Sequence, residues 1–286
     1  LVMVEGEAGA GKTVLLSSLF YDIMQNPVTT KSGEERRLDC YLVVNHDEQV
    51  NVYTQIAEKL GLHSKSNERV LKPTRFIDRH STNEKVDLVL IDEAHLLWTQ
   101  GKQSYRGDNQ LLDIISRAKV TVAVYDKQQV LQANQWWEKE PHEFVAADKY
   151  SKVPLRKQMR MAASQGTLDW LNSFLKEHRI TNLDLDTSHR DAEGYHVEFF
   201  ADVNDMRNAI KHKASDTDRG LSRMVATYDW PYNASRKPEN GDSWGVSIGD
   251  FFMPWNREIT VDAATKRKKL AWAEQPQTIN EVGSVY

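Results

Sequence analysis

A glycine-rich segment close to the start of the chain has the spacing of a phosphate-binding loop. It fits the pattern G-x-x-x-x-G-K-[ST] in full, with Gly6, Glu7, Ala8, Gly9, Ala10, Gly11, Lys12 and Thr13. Glycines let a backbone wrap closely around phosphates, and a following helix adds its positive end. Lys12 would reach the β- and γ-phosphates and the Thr13 hydroxyl would bind Mg²⁺, so the segment predicts a nucleotide site. The alternative is a glycine-rich turn with an incidental lysine.

Two adjacent acids follow an apolar run in the first half of the chain. Residues 88–91 read Leu-Val-Leu-Ile and lead into Asp92 and Glu93. Paired acids at a buried strand end need an explanation, because burying charge costs free energy. We expect Asp92 to bind Mg²⁺ directly or to hold one of its ligands, and Glu93 to take a proton from an attacking water. An acidic turn that begins a helix is the alternative. His95 either couples this site to a second domain or belongs to the first turn of a helix.

Two polar segments farther along the chain could face the same phosphates. Residues 125–129, Tyr-Asp-Lys-Gln-Gln, end an apolar strand, and ligands gather at the carboxyl ends of parallel strands. A glutamine there could sense the γ-phosphate or orient water; a polar turn is the alternative. Residues 155–160, Leu-Arg-Lys-Gln-Met-Arg, could supply an arginine from a second domain to stabilise transition-state charge. The alternative is the solvated basic start of a helix.

Alternating strands and helices must position these groups. In residues 1–130 the pattern predicts strands at 1–4, 41–44, 86–91 and 120–125, separated by helices that include 13–25 and 109–118. Near-continuous apolar strands between helices indicate an α/β fold with a parallel sheet covered on both faces. After about residue 150 the pattern changes. It predicts helices at 164–178 and after Asp202, strands at 196–200 and 221–228, and a long loop at 231–244. We therefore expect two domains, 1–150 and 151–286.

The composition is that of an ordinary globular protein. The 286 residues are 40% hydrophobic and 27% charged, which argues against a disordered or coiled-coil chain. No apolar run reaches the roughly 18 residues that a membrane span needs. The single cysteine, Cys40, excludes an internal disulfide and predicts a reducing, cytoplasmic environment. A net charge of -4 means that any nucleic acid would need a local basic groove. The strand-like residues at both ends, with no initiator methionine, lead us to expect a piece of a longer protein.

These motifs and several longer stretches resemble the Schlafen-group-3-like DNA/RNA helicase domain, a branch of the superfamily 1 helicases. Gly6–Thr13 is similar to helicase motif I and residues 92–95 to motif II. Residues 125–129 are similar to motif III, with Tyr125 in place of its glycine, and residues 155–160 to motif IV. The stretches that are specific to the family are residues 41–46, 97–107, 229–231 and 253–256.

The resemblance implies a particular architecture and particular roles. It implies a parallel RecA-like P-loop NTPase sheet flanked by helices, followed by a second, incomplete RecA-like α/β domain. ATP and Mg²⁺ would be the cofactors. Gln129 would be the sensor glutamine, with Gln128 as the fallback, and Arg160 the arginine acting from the second domain. The family continues beyond residue 286 into a Thr-x-Gln-Gly motif and later a second arginine motif. Superfamily 1 enzymes usually carry an adenine-contacting glutamine upstream of motif I. We therefore expect other domains of the same longer chain to be partners.

Single-stranded DNA or RNA is the expected macromolecular partner, held by phosphate contacts and aromatic stacking. The candidate loops are residues 45–46, 72–74 and 102–106, and residues 266–269 form a basic run. The candidate stacking side chains are Trp136, Trp137, Trp230, Trp244 and Trp255. The alternatives are ordinary solvated loops, a wet basic surface, and tryptophans that pack in a core.

Three functions compete at this stage. The first is an ATP-hydrolysing motor acting on DNA or RNA, in which Glu93 activates water. The second is a nucleotide-dependent switch in a larger signalling or defence protein, which could tolerate the loss of Glu93. The third is a small-molecule kinase, which is disfavoured because the sequence offers no acceptor pocket or lid. Glu93 therefore separates the first two functions.

Overall fold

A computed structural model describes the chain apart from residues 31, 65, 102–104, 131–132, 187–188, 217, 219, 228, 234, 240, 242, 257, 262–269 and 285–286. The chain divides into two compact units. The first unit contains residues 1–186 and 190–195, and the second contains residues 187–189 and 196–286. In the first unit the elements are β1 (Val2–Gly6), α1 (Lys12–Gln25), β2 (Val28–Thr29), β3 (Glu35–Arg36), β4 (Cys40–Val44), α2 (Asp47–Lys59), β5 (Val70–Leu71), α3 (Pro73–Arg79), β6 (Val86–Asp92), α4 (Gln110–Arg117), β7 (Ala118–Tyr125), β8 (Ser151–Leu155) and α5 (Gln165–Glu177).

Six of these strands form one parallel sheet in the order β5-β4-β6-β7-β1-β8. Strand β1 leads into the glycine-rich segment, and β6 ends at Asp92, directly before Glu93. Strand β7 lies between them in the sheet. Because the strands are parallel, their carboxyl ends share one edge: Glu5 pairs with Tyr125, and Val44 pairs with Asp92. The predicted α/β class and the parallel sheet flanked by helices are confirmed.

The strand residues alternate between two apolar cores, one on each face of the sheet. In β6, Leu88 and Leu90 contribute to the core that includes residues of α1 and α2, whereas Val89 and Ile91 contribute to the core with α3 and α4. All seven residues of β6 are buried. A strand covered on both faces has no polar side, and this explains why the run reads as continuously apolar.

The first unit extends past the boundary predicted near residue 150. Strand β8 pairs with β1 through residues 2–6 and 151–155, so the segment after residue 150 completes the same sheet. The division of the chain into functional domains at residue 150 stays a prediction.

The second unit is smaller and contains α6 (Val203–Ala214), β9 (Met224–Ala226), β10 (Gly245–Ile248), β11 (Phe251–Pro254) and β12 (Val282–Ser284). Its described strands form two pairs, antiparallel β10-β11 and parallel β9-β12, around a core centred on the fully buried Trp255. Helix α6 begins as predicted, because the Asp202 side chain accepts a hydrogen bond from the Asn204 amide at 2.7 Å. The strand predicted at 196–200 is wrong, and the second RecA-like domain is not confirmed.

Candidate nucleotide site

The glycine-rich segment forms a loop between β1 and α1, and the lysine of the motif lies inside it. Gly9 and Gly11 have φ angles of 83° and 82°, which side chains rarely allow. Lys12 is 6% exposed, and its Nζ donates to the carbonyls of Gly6 at 2.8 Å and Glu7 at 3.0 Å. Its ammonium also lies 3.5 Å from Oδ2 of Asp126. The loop therefore holds a buried cation on its own carbonyl groups.

Asp92, at the end of β6, contacts the threonine that follows this loop. It is fully buried, and its Oδ2 accepts hydrogen bonds from Thr13 Oγ1 at 3.3 Å and from the Tyr53 hydroxyl at 2.6 Å. Its Oδ1 accepts from the Glu93 amide at 3.1 Å. Burial raises the pKa of Asp92, and the hydrogen bonds from Tyr53, Glu93 and Thr13 act against that rise. The structure thus brings the two predicted metal ligands, Thr13 and Asp92, into contact.

Glu93 has a backbone conformation that is unusual for a residue other than glycine. Its φ and ψ are 50° and 52°, in the left-handed region, which costs on the order of 1–3 kcal/mol. Burial, with the neighbouring Asp92 charge, raises the pKa of Glu93. Its Oε2 is buried and accepts no hydrogen bond from the described part of the chain. Backbone strain and a buried acceptor without a hydrogen bond both need an explanation, and a role in a functional site is one.

His95 connects the end of β6 to the end of β7. It lies in a 3₁₀ turn, Ala94–Leu96, and is 2% exposed. Its Nδ1 accepts a hydrogen bond from the Asp126 amide at 3.3 Å, so a neutral ring carries its proton on Nε2. This nitrogen lies 3.3 Å from Glu93 Oε2, but the pair does not form a hydrogen bond. Burial lowers the pKa of His95 to about 4. His95 therefore links two strand ends within the first unit.

The polar segment after β7 contributes Asp126 and Gln129. The side-chain amide of Gln129 donates through Nε2 to Asp126 Oδ2 at 2.7 Å. This is the same oxygen that faces Lys12. A cleft of about 310 Å³ is lined in part by Gly9, Lys12, Thr13, Glu93, Gln129 and Arg160. The fallback residue, Gln128, lines a neighbouring depression with Glu5 and Gly6 instead. Of the two glutamines, Gln129 is the one that borders this cleft together with the loop.

Arg160 reaches the cleft from the segment that follows β8. The Met159 amide donates to the Gly9 carbonyl at 2.8 Å, so this segment crosses the glycine-rich loop. Arg160 was expected to approach from a second domain, but it belongs to the same compact unit as the loop. The reason is that β8 lies beside β1 in the sheet, so the chain that leaves β8 passes over the loop that leaves β1.

Two residues of this site, Tyr53 and Asp126, were not predicted individually. Tyr53 has the helical spacing of a core residue, and it does pack in the core that includes Leu16 and Ala57. Nothing in that spacing shows that its hydroxyl reaches Asp92. Asp126 offered a weak signal, because it directly follows an apolar strand whose carboxyl end faces the loop.

The candidate nucleic-acid residues divide into several groups. Asn45, Lys72 and Thr74 line a separate groove of about 800 Å³. Trp136 is 63% exposed, and Trp137 stacks on Tyr125 with ring centroids 4.6 Å apart. Trp230 and Trp244 pack against the core of the second unit.

Three of the remaining candidates have a different outcome. Trp255 is fully buried and offers no stacking face, which corrects that candidate. In the segment 102–106, Tyr105 is buried with its hydroxyl on Asp113, while residues 102–104 lie outside the described chain. Residues 266–269 also lie outside it.

The residues at the site fit a magnesium–nucleotide complex better than a protein-only metal centre. Mg²⁺ is usually held by one or two protein ligands together with substrate phosphates, and Thr13 and Asp92 form such a pair. Among the described residues there is no group of three or more His, Cys, Asp or Glu side chains that could hold a metal ion.

Within the part of the chain that the structure describes, no helix combines the length and the hydrophobicity of a membrane span.

Comparison with known proteins assigns the chain to a family. The family model described as Schlafen group 3, DNA/RNA helicase domain, matches residues 1–286. A Saccharomyces cerevisiae (strain ATCC 204508 / S288c) protein, Uncharacterized protein YPL245W, is 32% identical over 308 residues, covering 100% of this chain and 64% of that protein. The chain therefore spans slightly less than two thirds of that relative.

Two helicase structures share a distant likeness with the chain. The Arterivirus nonstructural protein 10 helicase in complex with DNA has a TM-score of 0.37 and 15% identity, covering 64% of this chain and 42% of that one. The Pyrococcus furiosus Hef helicase domain has a TM-score of 0.30 and 12% identity, covering 54% and 34%.

The parallel sheet and the glycine-rich loop that encloses a buried lysine define a helicase-like P-loop domain. Because the family model matches the whole chain, the chain belongs to the Schlafen group 3 DNA/RNA helicase domain family. The resemblance inferred from the motifs is confirmed.

Proposed function

We propose that this domain binds and hydrolyses ATP with Mg²⁺ and acts on single-stranded DNA or RNA. The observation that carries the proposal is the convergence of three groups on one cleft. Lys12 supplies a buried cation, the Thr13 hydroxyl contacts Asp92, and Glu93 follows directly with a buried oxygen that accepts no hydrogen bond from the described residues. This set matches the needs of a triphosphate: a cation, a metal-binding hydroxyl and carboxylate, and a base.

Each residue of the candidate site has a defined role in this proposal. The loop amides and Lys12 bind the phosphates, which requires the ammonium to leave the carbonyls of Gly6 and Glu7. Thr13 and Asp92 would hold Mg²⁺, which when bound neutralises charge on the phosphate oxygens. Glu93 takes the proton of the attacking water on its carboxylate, and its raised pKa brings it closer to the operating pH.

Gln129 and Arg160 would complete the cleft. Gln129 donates a hydrogen bond to Asp126, and the same carboxylate faces Lys12. Movement of the Lys12 ammonium away from Asp126 to bind phosphates would therefore alter the surroundings of the glutamine. Arg160 is exposed and borders the cleft, where it would offset negative charge in the transition state.

The proposed nucleic-acid contact is the groove lined by Asn45, Lys72 and Thr74, with Trp136 as an exposed stacking face. Phosphates would be held by local basic groups, because the net charge of -4 gives no overall attraction. We place the activity in the cytoplasm on the sequence argument from the single cysteine.

A hydrolysis assay tests this proposal. We expect the full-length protein to hydrolyse ATP with Mg²⁺, and single-stranded DNA or RNA to stimulate the rate. Glu93→Gln should lower kcat by roughly 10²–10⁴-fold, the range for loss of a general base, while nucleotide binding is retained. An unchanged rate in Glu93→Gln would contradict the assigned role.

A nucleotide-dependent switch in a larger signalling or defence protein is the second candidate. It is favoured by the contacts of Lys12, because nucleotide binding alone must exchange the contacts to Gly6, Glu7 and Asp126 for phosphate contacts. A switch predicts that single strands do not change the rate and that Glu93→Gln retains biological function. Strong stimulation by single strands would exclude it.

A further inference from the structure

Tyr53 connects helix α2 to the carboxylate at the end of β6. It is 7% exposed and lies in the core between the sheet and the helices α1 and α2. Its hydroxyl donates to Asp92 Oδ2 at 2.6 Å. A phenol in this position is costly unless it makes a hydrogen bond, so the pairing with Asp92 fixes both groups.

The carboxylate of Asp92 accepts hydrogen bonds from three groups that lie in different parts of the first unit. The Glu93 amide holds Oδ1 at 3.1 Å, whereas Thr13 Oγ1 and the Tyr53 hydroxyl share Oδ2 at 3.3 and 2.6 Å. Thr13 lies in the first turn of α1, directly after the glycine-rich loop. Tyr53 belongs to α2 and packs in the core with residues of α1 and the sheet, so of the two side chains on Oδ2 it is the one that reaches the carboxylate from outside the glycine-rich segment.

We propose that Tyr53 is a positioning residue for the metal site: its hydroxyl orients Asp92 so that this carboxylate can serve Mg²⁺ together with Thr13. The inference rests on the proposed function, since it concerns the metal of the nucleotide complex. Groups that hydrogen-bond a metal ligand fix its orientation, and their loss typically weakens metal affinity by roughly 10–100-fold. Tyr53 touches neither phosphate nor metal in this account and acts only through Asp92.

Competition between the hydroxyl and Mg²⁺ for the same oxygen would change metal affinity in the opposite direction. If the hydroxyl merely occupied an oxygen that Mg²⁺ needs, its removal would free Oδ2 and strengthen metal binding. The direction of the change therefore separates positioning from competition.

Tyr105 provides a matched control. It is 4% exposed, and its hydroxyl donates to Asp113 Oδ2 at 2.6 Å in the same compact unit. Tyr53→Phe and Tyr105→Phe thus each delete one hydroxyl from a buried tyrosine whose hydrogen bond to an aspartate has the same length, although Asp92 is fully buried and the Asp113 side chain is 33% exposed. A loss of thermal stability is expected from both variants, and it should be larger in Tyr53→Phe because the aspartate that loses its donor there is buried.

The experiment is a Mg²⁺ titration of the full-length protein with a fluorescent, non-hydrolysable ATP analogue. We expect Tyr53→Phe to raise the Mg²⁺ concentration at half-maximal binding by roughly 10–100-fold, and Tyr105→Phe to leave it unchanged. Analogue binding in EDTA should be the same in all three proteins. In an Asp92→Asn background, adding Tyr53→Phe should change nothing further, because the hydroxyl acts through the carboxylate.

Failure of this inference is distinct from failure of the proposed function. If the wild-type protein shows no Mg²⁺-dependent binding, the proposed function fails. If the wild type binds but Tyr53→Phe behaves like Tyr105→Phe, or binds Mg²⁺ more tightly, only the positioning role is overturned. Unfolding of Tyr53→Phe alone, while Tyr105→Phe remains folded, would likewise overturn it by assigning the hydroxyl a purely structural role.

Discussion

Replacing His95 with glutamine is expected to remove a specific pH dependence from the stability of the first unit. The imidazole is 2% exposed, and burial lowers its pKa from 6.5 to about 4. The native fold therefore requires a neutral ring, whereas the unfolded chain can protonate it freely. Glutamine is also polar, and its side chain does not gain or lose a proton in this pH range.

The sign and size of the effect follow from linkage. Above pH 6.5 both states hold a neutral ring, and the contribution is constant. Between pH 6.5 and about 4 the unfolded state binds the proton first, so the free energy of unfolding falls as the pH falls. The gap between 6.5 and about 4 corresponds to roughly 3 kcal/mol at 1.36 kcal/mol per pH unit.

Urea unfolding at a series of pH values measures this term. The wild-type protein should lose roughly 3 kcal/mol more than His95→Gln between pH 7 and pH 4, since the other titrating groups are common to both proteins. Substitution of His142, which is exposed, controls for the loss of an imidazole as such. A difference between wild type and His95→Gln that stays constant within about 1 kcal/mol, less than tenfold in the folding equilibrium, would refute the buried neutral ring.

Two further predictions concern the loop and the opposite end of the sheet. Gly9→Ala and Gly33→Ala should each lose about 1–2 kcal/mol of stability from their positive φ angles of 83° and 85°. Gly9→Ala should lose more stability than Gly33→Ala, because its new Cβ would lie 2.8 Å from Arg160 Cβ, whereas a Cβ at Gly33 would meet nothing within 4 Å. Gly9→Ala should also bind nucleotide weakly. Equal losses of stability in the two variants, measured by thermal unfolding, would argue against the packing of the loop. Asp87→Asn should destabilise the protein by about 1.5–3 kcal/mol at pH 7 through the loss of charge-assisted hydrogen bonds. The hydrogen bonds from Arg36 hold the pKa of Asp87 well below its usual range, so this stability is lost in the wild type as the pH falls through that lowered pKa; nucleotide affinity, measured by titration, should not change.

The sequence predicted the sheet well because continuous apolar runs leave few alternatives. Strand β6 is buried at every residue, and such a run before two acids is hard to place other than in the middle of a parallel sheet. The glycine-rich loop was equally clear, since its positive φ angles at Gly9 and Gly11 are what its glycines permit. In these two places local pattern and tertiary structure agree.

Other features depend on contacts that a linear pattern does not contain. Strand β8 has four exposed residues among its five, so no apolar run marks it as the sixth strand, and the origin of Arg160 was assigned to the wrong unit. The hydroxyl of Tyr53 reaches Asp92 across the core, a contact that helical periodicity cannot indicate. The predicted strand at 196–200 failed because alternation alone does not supply a partner strand.

The most direct test of the central claim is a titration of the full-length protein with ATP in Mg²⁺ and in EDTA, comparing the wild type with Lys12→Ala. Lys139, an exposed lysine of the same unit, provides the control variant Lys139→Ala. We predict Mg²⁺-dependent binding in the wild type and in Lys139→Ala, and its loss in Lys12→Ala, because the buried ammonium is the cation that the loop presents to the phosphates. Equal affinities in all three proteins would contradict the assignment of residues 6–13 as the triphosphate site.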